Sequence, residues 1–115
     1  MQSKLVRDNI PDIISASGCK PIWHKCDETD FYNFLLLKLQ EEVNELKKAE
    51  THNQILEECS DVFTVVSAIV ELIDLSEGCR DWMNIYTNKL KTNGAFYDRI
   101  ILDDVIEGEN ENERY

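Results

Sequence analysis

No apolar run in this sequence approaches the roughly 20 residues that a membrane-spanning helix needs, so a chain held in a bilayer by a helix is not expected. Nor does it open like a secretory signal. Lys4, Arg7 and Asp8 stand where an uninterrupted apolar segment would be required, and a cytoplasmic location is the expectation. The cysteines Cys19, Cys26, Cys59 and Cys79 lack CxxC spacing, which makes reduced thiols the default in a cytosolic chain. Cys19, His24 and Cys26 are close enough to supply three zinc ligands. A structural zinc takes four, however, and no matching second half is present. Basic residues are scarce: 12 Lys and Arg stand against 23 Asp and Glu, a formal charge of −11. Nucleic-acid backbones are bound largely through clustered Lys and Arg, so DNA and RNA are excluded as expected partners. No internal repeat is visible, and the one biased stretch is the Glu/Asn-rich end.

What remains is enough for one hydrophobic core, since 115 residues with 43% apolar and 30% charged side chains describe a soluble globular domain. From about Asp30 to Glu50 apolar residues recur at Tyr32, Leu35, Leu36, Leu39, Val43 and Leu46, one stripe of a 3.6-residue helix. Asp27 or Thr29 can cap its start. Thr51-His52-Asn53 supplies short polar side chains that end one helix and cap the next, and so brief a connection makes the two antiparallel neighbours. A second helix is expected over about Gln54 to Asp74 on Ile55, Cys59, Val62, Val66, Ile69, Val70 and Ile73. Ser76-Glu77-Gly78 then punctuates, and a third runs from about Cys79 to Lys91 on Trp82, Ile85, Tyr86 and Leu90, stopping at Asn93-Gly94. Ahead of them, Pro11 suits the first turn of a short helix within Ile10-Pro11-Asp12-Ile13-Ile14, followed by a loop with Gly18 and Pro21. Phe96 to Val105 reads as extended or briefly helical. The fold class is therefore all-α, an antiparallel bundle, with an acidic C-terminal tail at 103–115.

Four carboxylates carry the functional signal. At about 100° per residue, Glu42 lies roughly 60° from the centre of its helix's apolar stripe and Glu45 a further 60° round the same side. Glu58 and Asp61 take nearly the same offsets on the next helix, so both pairs flank the seam between antiparallel helices. Carboxylates gathered at the edge of a core repel one another and lose hydration unless a cation compensates them. Glu42, Glu45, Glu58 and Asp61 are accordingly the expected metal ligands. An all-oxygen set suits Mg²⁺, with Mn²⁺ as the alternative, whereas di-iron bundles use Glu-x-x-His and neither His24 nor His52 is so placed. Glu50 and Glu57 read as solvated helix surface. Glu41 lies further round from the stripe than Glu42, as a support to the ligands, a general base or a solvated side chain.

Glu41-Glu42-x-x-Glu45 followed by Glu58-x-x-Asp61 resembles the MazG-like, all-alpha nucleoside triphosphate pyrophosphohydrolase superfamily. Two further segments look like the same group: Lys4-Leu5-Val6-Arg7-Asp8-Asn9-Ile10-Pro11 near the start and Asn93-Gly94-Ala95-Phe96-Tyr97-Asp98-Arg99-Ile100 near the end. Asn9 stands where the opening motif usually has lysine, and Ala95 where a second glycine is usual. The resemblance covers residues from about 4 to 102 and makes 1–102 a single domain of that kind.

That resemblance implies hydrolysis of a ribo- or deoxyribonucleoside triphosphate between its α- and β-phosphates, giving a monophosphate and pyrophosphate, with clearance of the nucleotide pool as the role. It implies metal at the four carboxylates and a carboxylate that takes the proton from the attacking water, for which Glu41 and Glu45 are the catalytic candidates. Lys4, Arg7, Lys89, Lys91, Asn93 and Arg99 lie near the two outer segments and are the expected substrate-binding residues. Three long helices in one chain leave apolar surface uncovered, so a homodimer or higher homo-oligomer is expected to complete the bundle. Two rivals stand beside this reading. One is a non-catalytic helical module that binds nucleotide or protein. The other is a phosphoribosyl-ATP pyrophosphohydrolase, against which the Arg7-Asp8-Asn9-Ile10-Pro11 segment argues.

Overall fold

The computed structural model describes residues 2–106. It is all-helical, with no strand among those residues: α1 spans Ile10–Ala16, α2 Glu28–Lys48, α3 His52–Ile73 and α4 Arg80–Asn93, with a 3-10 turn at Glu77–Cys79. Each helix lies within two residues of its expected start. The chain divides into two compact units, Met1–Trp82 and Met83–Tyr115. The stretch from Phe96 to Val105 holds a turn at Phe96–Asp98 and no regular element. Of the expected acidic tail, residues 107–115 lie outside the described residues.

Local chemistry accounts for the helix ends. Pro11 sits in the first turn of α1, where its missing N–H costs nothing. Gly18, with φ +91°, then lets the Gly18 and Cys19 amides turn back to the Ser15 and Ile14 carbonyls and close the helix. At the start of α2, Asp27 accepts the Asp30 N–H at 2.8 Å; of the two expected caps it is the one used. Lys47 and Lys48 complement the dipole at the other end. Thr51 and Gln54 cap α3 reciprocally: Thr51 Oγ1 accepts the Gln54 N–H at 3.1 Å, and Gln54 Oε1 accepts the Thr51 and Glu50 N–H groups. Asp74 ends α3 and starts α4, accepting from the Ser76 amide and hydroxyl and from the Trp82 N–H. These donors hold its carboxyl below the usual range.

The Ala49–Thr51 connection folds α3 back antiparallel along α2, and these helices pack directly on each other. The register can be read from the chain. Counting outward from Glu50, Leu35 and Val65 are equidistant, and so are Glu42 and Glu58. Leu35 (2% exposed), Val65 and Glu42 (both 8%) are the buried residues among those described. A carboxylate thus shares the seam with the core, two helical turns from Leu35. Leu37, Leu56, Phe63 and Ile73 on the same two helices are all more than half exposed.

Candidate metal centre

Three of the four expected ligands come together. Glu42 from α2 with Glu58 and Asp61 from α3 each offer a carboxylate oxygen, and these oxygens lie within 4.8 Å of one another. Glu58 and Asp61 are half-buried. Among the described residues this is the one group of acids, histidines or cysteines so arranged; Cys19, His24 and Cys26 do not form one. Glu45 is exposed and falls outside the group. In the register Glu45 and Asp61 lie one turn to opposite sides of the Glu42–Glu58 level, about 9 Å apart along the axis, so the group that takes in Asp61 cannot also take in Glu45. It still contributes to the repulsion on Glu58.

Glu58 holds the least compensated charge. Its Oε2 is buried and receives no hydrogen bond. Desolvation is the largest reason its carboxyl titrates above the ordinary value, followed by the approach of the Glu42 carboxyl, with which it can share a proton, and by the charges of Glu42, Asp61 and Glu45. A raised acid contributes stability that is fully present below its unfolded value of 4.5 and is lost as the pH rises through the folded value. The metal-free protein therefore gives up stability at this site towards neutral pH. Glu58→Gln is expected to raise the neutral-pH melting temperature in the presence of a chelator and to have little effect near pH 4.5; circular-dichroism melts at both pH values test this. A variant that tracks the native protein throughout would show that Glu58 is not destabilised by its surroundings.

Two cations face the cluster. Arg7, from the segment before α1, donates through Nη2 to Asp61 Oδ1 at 2.5 Å and to Thr64 Oγ1 at 3.3 Å. On α2, Lys38 Nζ lies 3.2 Å from Glu42 Oε1 and 3.6 Å from Glu41 Oε2, with its side chain 19% exposed. The sequence pattern alone does not single out Lys38. Its signal is the i,i+4 spacing to Glu42, the one oppositely charged i,i+4 pair on this helix. Of the expected catalytic pair, Glu41 is half-buried beside Lys38 and Glu45 is solvated. Lys4 is exposed and lines a cleft with Glu41. Lys89, Lys91, Asn93 and Arg99 are exposed residues of the second unit. Lys91 lies in the last turn of α4 and Asn93 ends it.

The donor set fits a hard divalent cation. Oxygens about 2.1 Å from an octahedral Mg²⁺ are roughly 3 Å apart in neighbouring positions and about 4.2 Å across, so oxygens within 4.8 Å of one another reach that geometry by closing up to roughly 1.8 Å for a neighbouring pair. The orphaned Glu58 Oε2 is an atom such an ion would satisfy.

No family model and no solved structure matches the chain. It is similar to a protein of Mycolicibacterium smegmatis described only as uncharacterized, 42% identical over 55 residues. The match covers 48% of this chain and 56% of that protein, so the chain spans about half the length of the curated relative. Among the described residues no helix is long and apolar enough to cross a membrane.

Proposed function

We propose that the chain is a metal-dependent nucleotide pyrophosphohydrolase of the MazG-like kind, cleaving a nucleoside triphosphate to the monophosphate and pyrophosphate. The observation that carries this reading is the convergence of Glu42, Glu58 and Asp61 with a buried, unsatisfied oxygen among them. Mg²⁺ or Mn²⁺ at that point supplies Lewis-acid polarisation of phosphoryl oxygens and a more acidic water. The protein's own contribution is positional. Glu42 is fixed by burial and by Lys38, Asp61 is oriented by Arg7, and Arg7 and Lys38 place positive charge beside the carboxylates, where a polyphosphate would approach an otherwise acidic chain. Glu41 and Glu45 are the two candidates for accepting the proton of the attacking water. Glu41 is favoured because it also lines the neighbouring cleft. A cytoplasmic nucleotide pool is the setting this reading carries.

Pyrophosphate release from a panel of ribo- and deoxyribonucleoside triphosphates, with Mg²⁺ or Mn²⁺ and with a chelator, tests the reaction. Metal-dependent release with monophosphate as co-product supports the reading and names the substrate. A non-catalytic helical module is the second reading, favoured by one observation: Arg7 and Lys38 already pair with Asp61 and Glu42. Under it the divalent cation neither raises the melting temperature nor supports turnover.

The reading includes a homo-oligomer of the bundle type. Its support is the scarcity of buried apolar residues together with the exposure of Leu37, Leu56, Phe63 and Ile73 along α2 and α3. Light scattering at micromolar concentration is expected to give at least twice the 13.4 kDa chain mass; the chain mass itself would sink this part of the proposal.

A further inference from the structure

Beside the carboxylates lies a cleft of about 190 Å³ between the N-terminal segment and α2, lined among others by Lys4, Leu5, Phe34, Leu37, Lys38 and Glu41. Its wall is mixed in a particular way. Leu5, Phe34 and Leu37 offer an apolar surface that includes an aromatic ring, while Lys4 and Lys38 bring cations to a chain of net charge −11. The volume is below the roughly 300–1000 Å³ of pockets that enclose drug-sized ligands, so the cleft accommodates a single ring system rather than a whole nucleotide. It adjoins the candidate metal centre through Lys38: Glu42, Glu58 and Asp61 do not line the cleft, but the ammonium that does is the one 3.2 Å from Glu42.

From this adjacency through Lys38, and resting on the reading of the carboxylates given above, we propose that the cleft seats the base of the nucleotide. Phe34 lies against the base, and Lys38 is the coupling residue between base site and phosphate site. In the metal-free protein Lys38 is engaged by Glu42 and Glu41. Once the charge of Glu42 is compensated by a cation, Lys38 keeps only Glu41 and its ammonium becomes available to a phosphate oxygen at the mouth of the cleft. Nucleotide and divalent cation then bind with positive coupling, and the coupling is lost without the lysine.

The test is a nuclear magnetic resonance titration of the full chain with nucleoside monophosphates and, separately, inorganic pyrophosphate, each with and without Mg²⁺, and with Mn²⁺ as a paramagnetic probe. A monophosphate is expected to shift the amides of Lys4, Leu5, Phe34 and Leu37, more tightly with Mg²⁺ than without, and pyrophosphate is expected to leave Phe34 unmoved. Phe34→Leu, which keeps packing volume but loses the stacking face, is expected to weaken monophosphate binding roughly tenfold. Lys38→Met is expected to abolish the Mg²⁺ enhancement. Mn²⁺ broadening around Glu42, Glu58 and Asp61 with monophosphate shifts confined elsewhere, or none, would overturn the cleft assignment and leave the metal reading standing. Shifts in the cleft without Mn²⁺ broadening at those carboxylates would support the base site but overturn the coupling and the metal reading together.

Discussion

Glu42→Gln is expected to lower metal-dependent pyrophosphate release by on the order of a hundredfold or more, because it removes the charge of the most buried of the three proposed ligands without changing its shape. The same variant should lose the thermal response to metal. A native site held at about a hundred times its dissociation constant gains about 2.7 kcal/mol, which for a chain of this size is roughly 10 °C in melting temperature. Without metal, two opposing changes nearly cancel. The substitution relieves the repulsion that Glu42 exerts on Glu58, and it leaves Lys38 paired with Glu41 alone. The metal-free melting temperature should accordingly stay within about 4 °C of native, so that a fall in turnover cannot be assigned to unfolding. Glu57→Gln, an exposed position on α3, is the control and should leave both readouts unchanged. Retention of turnover and of the metal-induced shift in Glu42→Gln would remove the carboxylate cluster from the mechanism altogether.

The sequence is legible here to the extent that the controlling interactions are local. Periodicity placed α2 and α3, and side chains within one turn capped them at Asp27 and Thr51. The angular position of each acidic pair on its own helix was equally accessible, because 100° per residue is a property of the backbone. The axial level at which the pairs meet was not. It depends on how far α3 slides along α2, set by the length of the connection and by the burial of Leu35 and Val65 at one level, and that register brings Glu42 level with Glu58 while leaving Glu45 a turn away. Arg7 illustrates the second kind of illegibility: a segment without regular structure crosses to α3 to reach Asp61, 54 positions on in the chain, and no periodicity encodes such a path. The stripes also imply more burial than the structure shows, since Tyr32, Leu36, Val66 and Ile73 all remain substantially exposed. An apolar stripe reports that a face is meant to be covered and is silent on whether the cover is in the same chain.

Leu35→Ala should destabilise the protein by about 3 kcal/mol, within the range of roughly 2–5 kcal/mol for emptying a buried leucine site. Native domains hold about 5–15 kcal/mol in all, so the melting temperature should fall by more than about 10 °C. The size of the effect follows from the sparseness of the seam: with Val65 as the other buried apolar side chain among the described residues, little is available to collapse into the cavity. Because Leu35 lies two turns from Glu42 along the same seam, loosening it also frees the register that brings Glu42 to Glu58. Metal affinity should therefore weaken in Leu35→Ala even where the variant remains folded, which calorimetric titration with Mn²⁺ can read. Phe63→Ala supplies the contrast. Phe63 is 73% exposed on α3, and in an isolated chain its truncation should cost no more than about 0.5 kcal/mol. If a second copy covers that face, the cost approaches that of a core position, and the melting temperature of the native protein rises with protein concentration while that of the variant does not. A small, concentration-independent effect at Phe63 beside a large one at Leu35 would instead confine the packing that holds the carboxylates together to one hairpin of one chain.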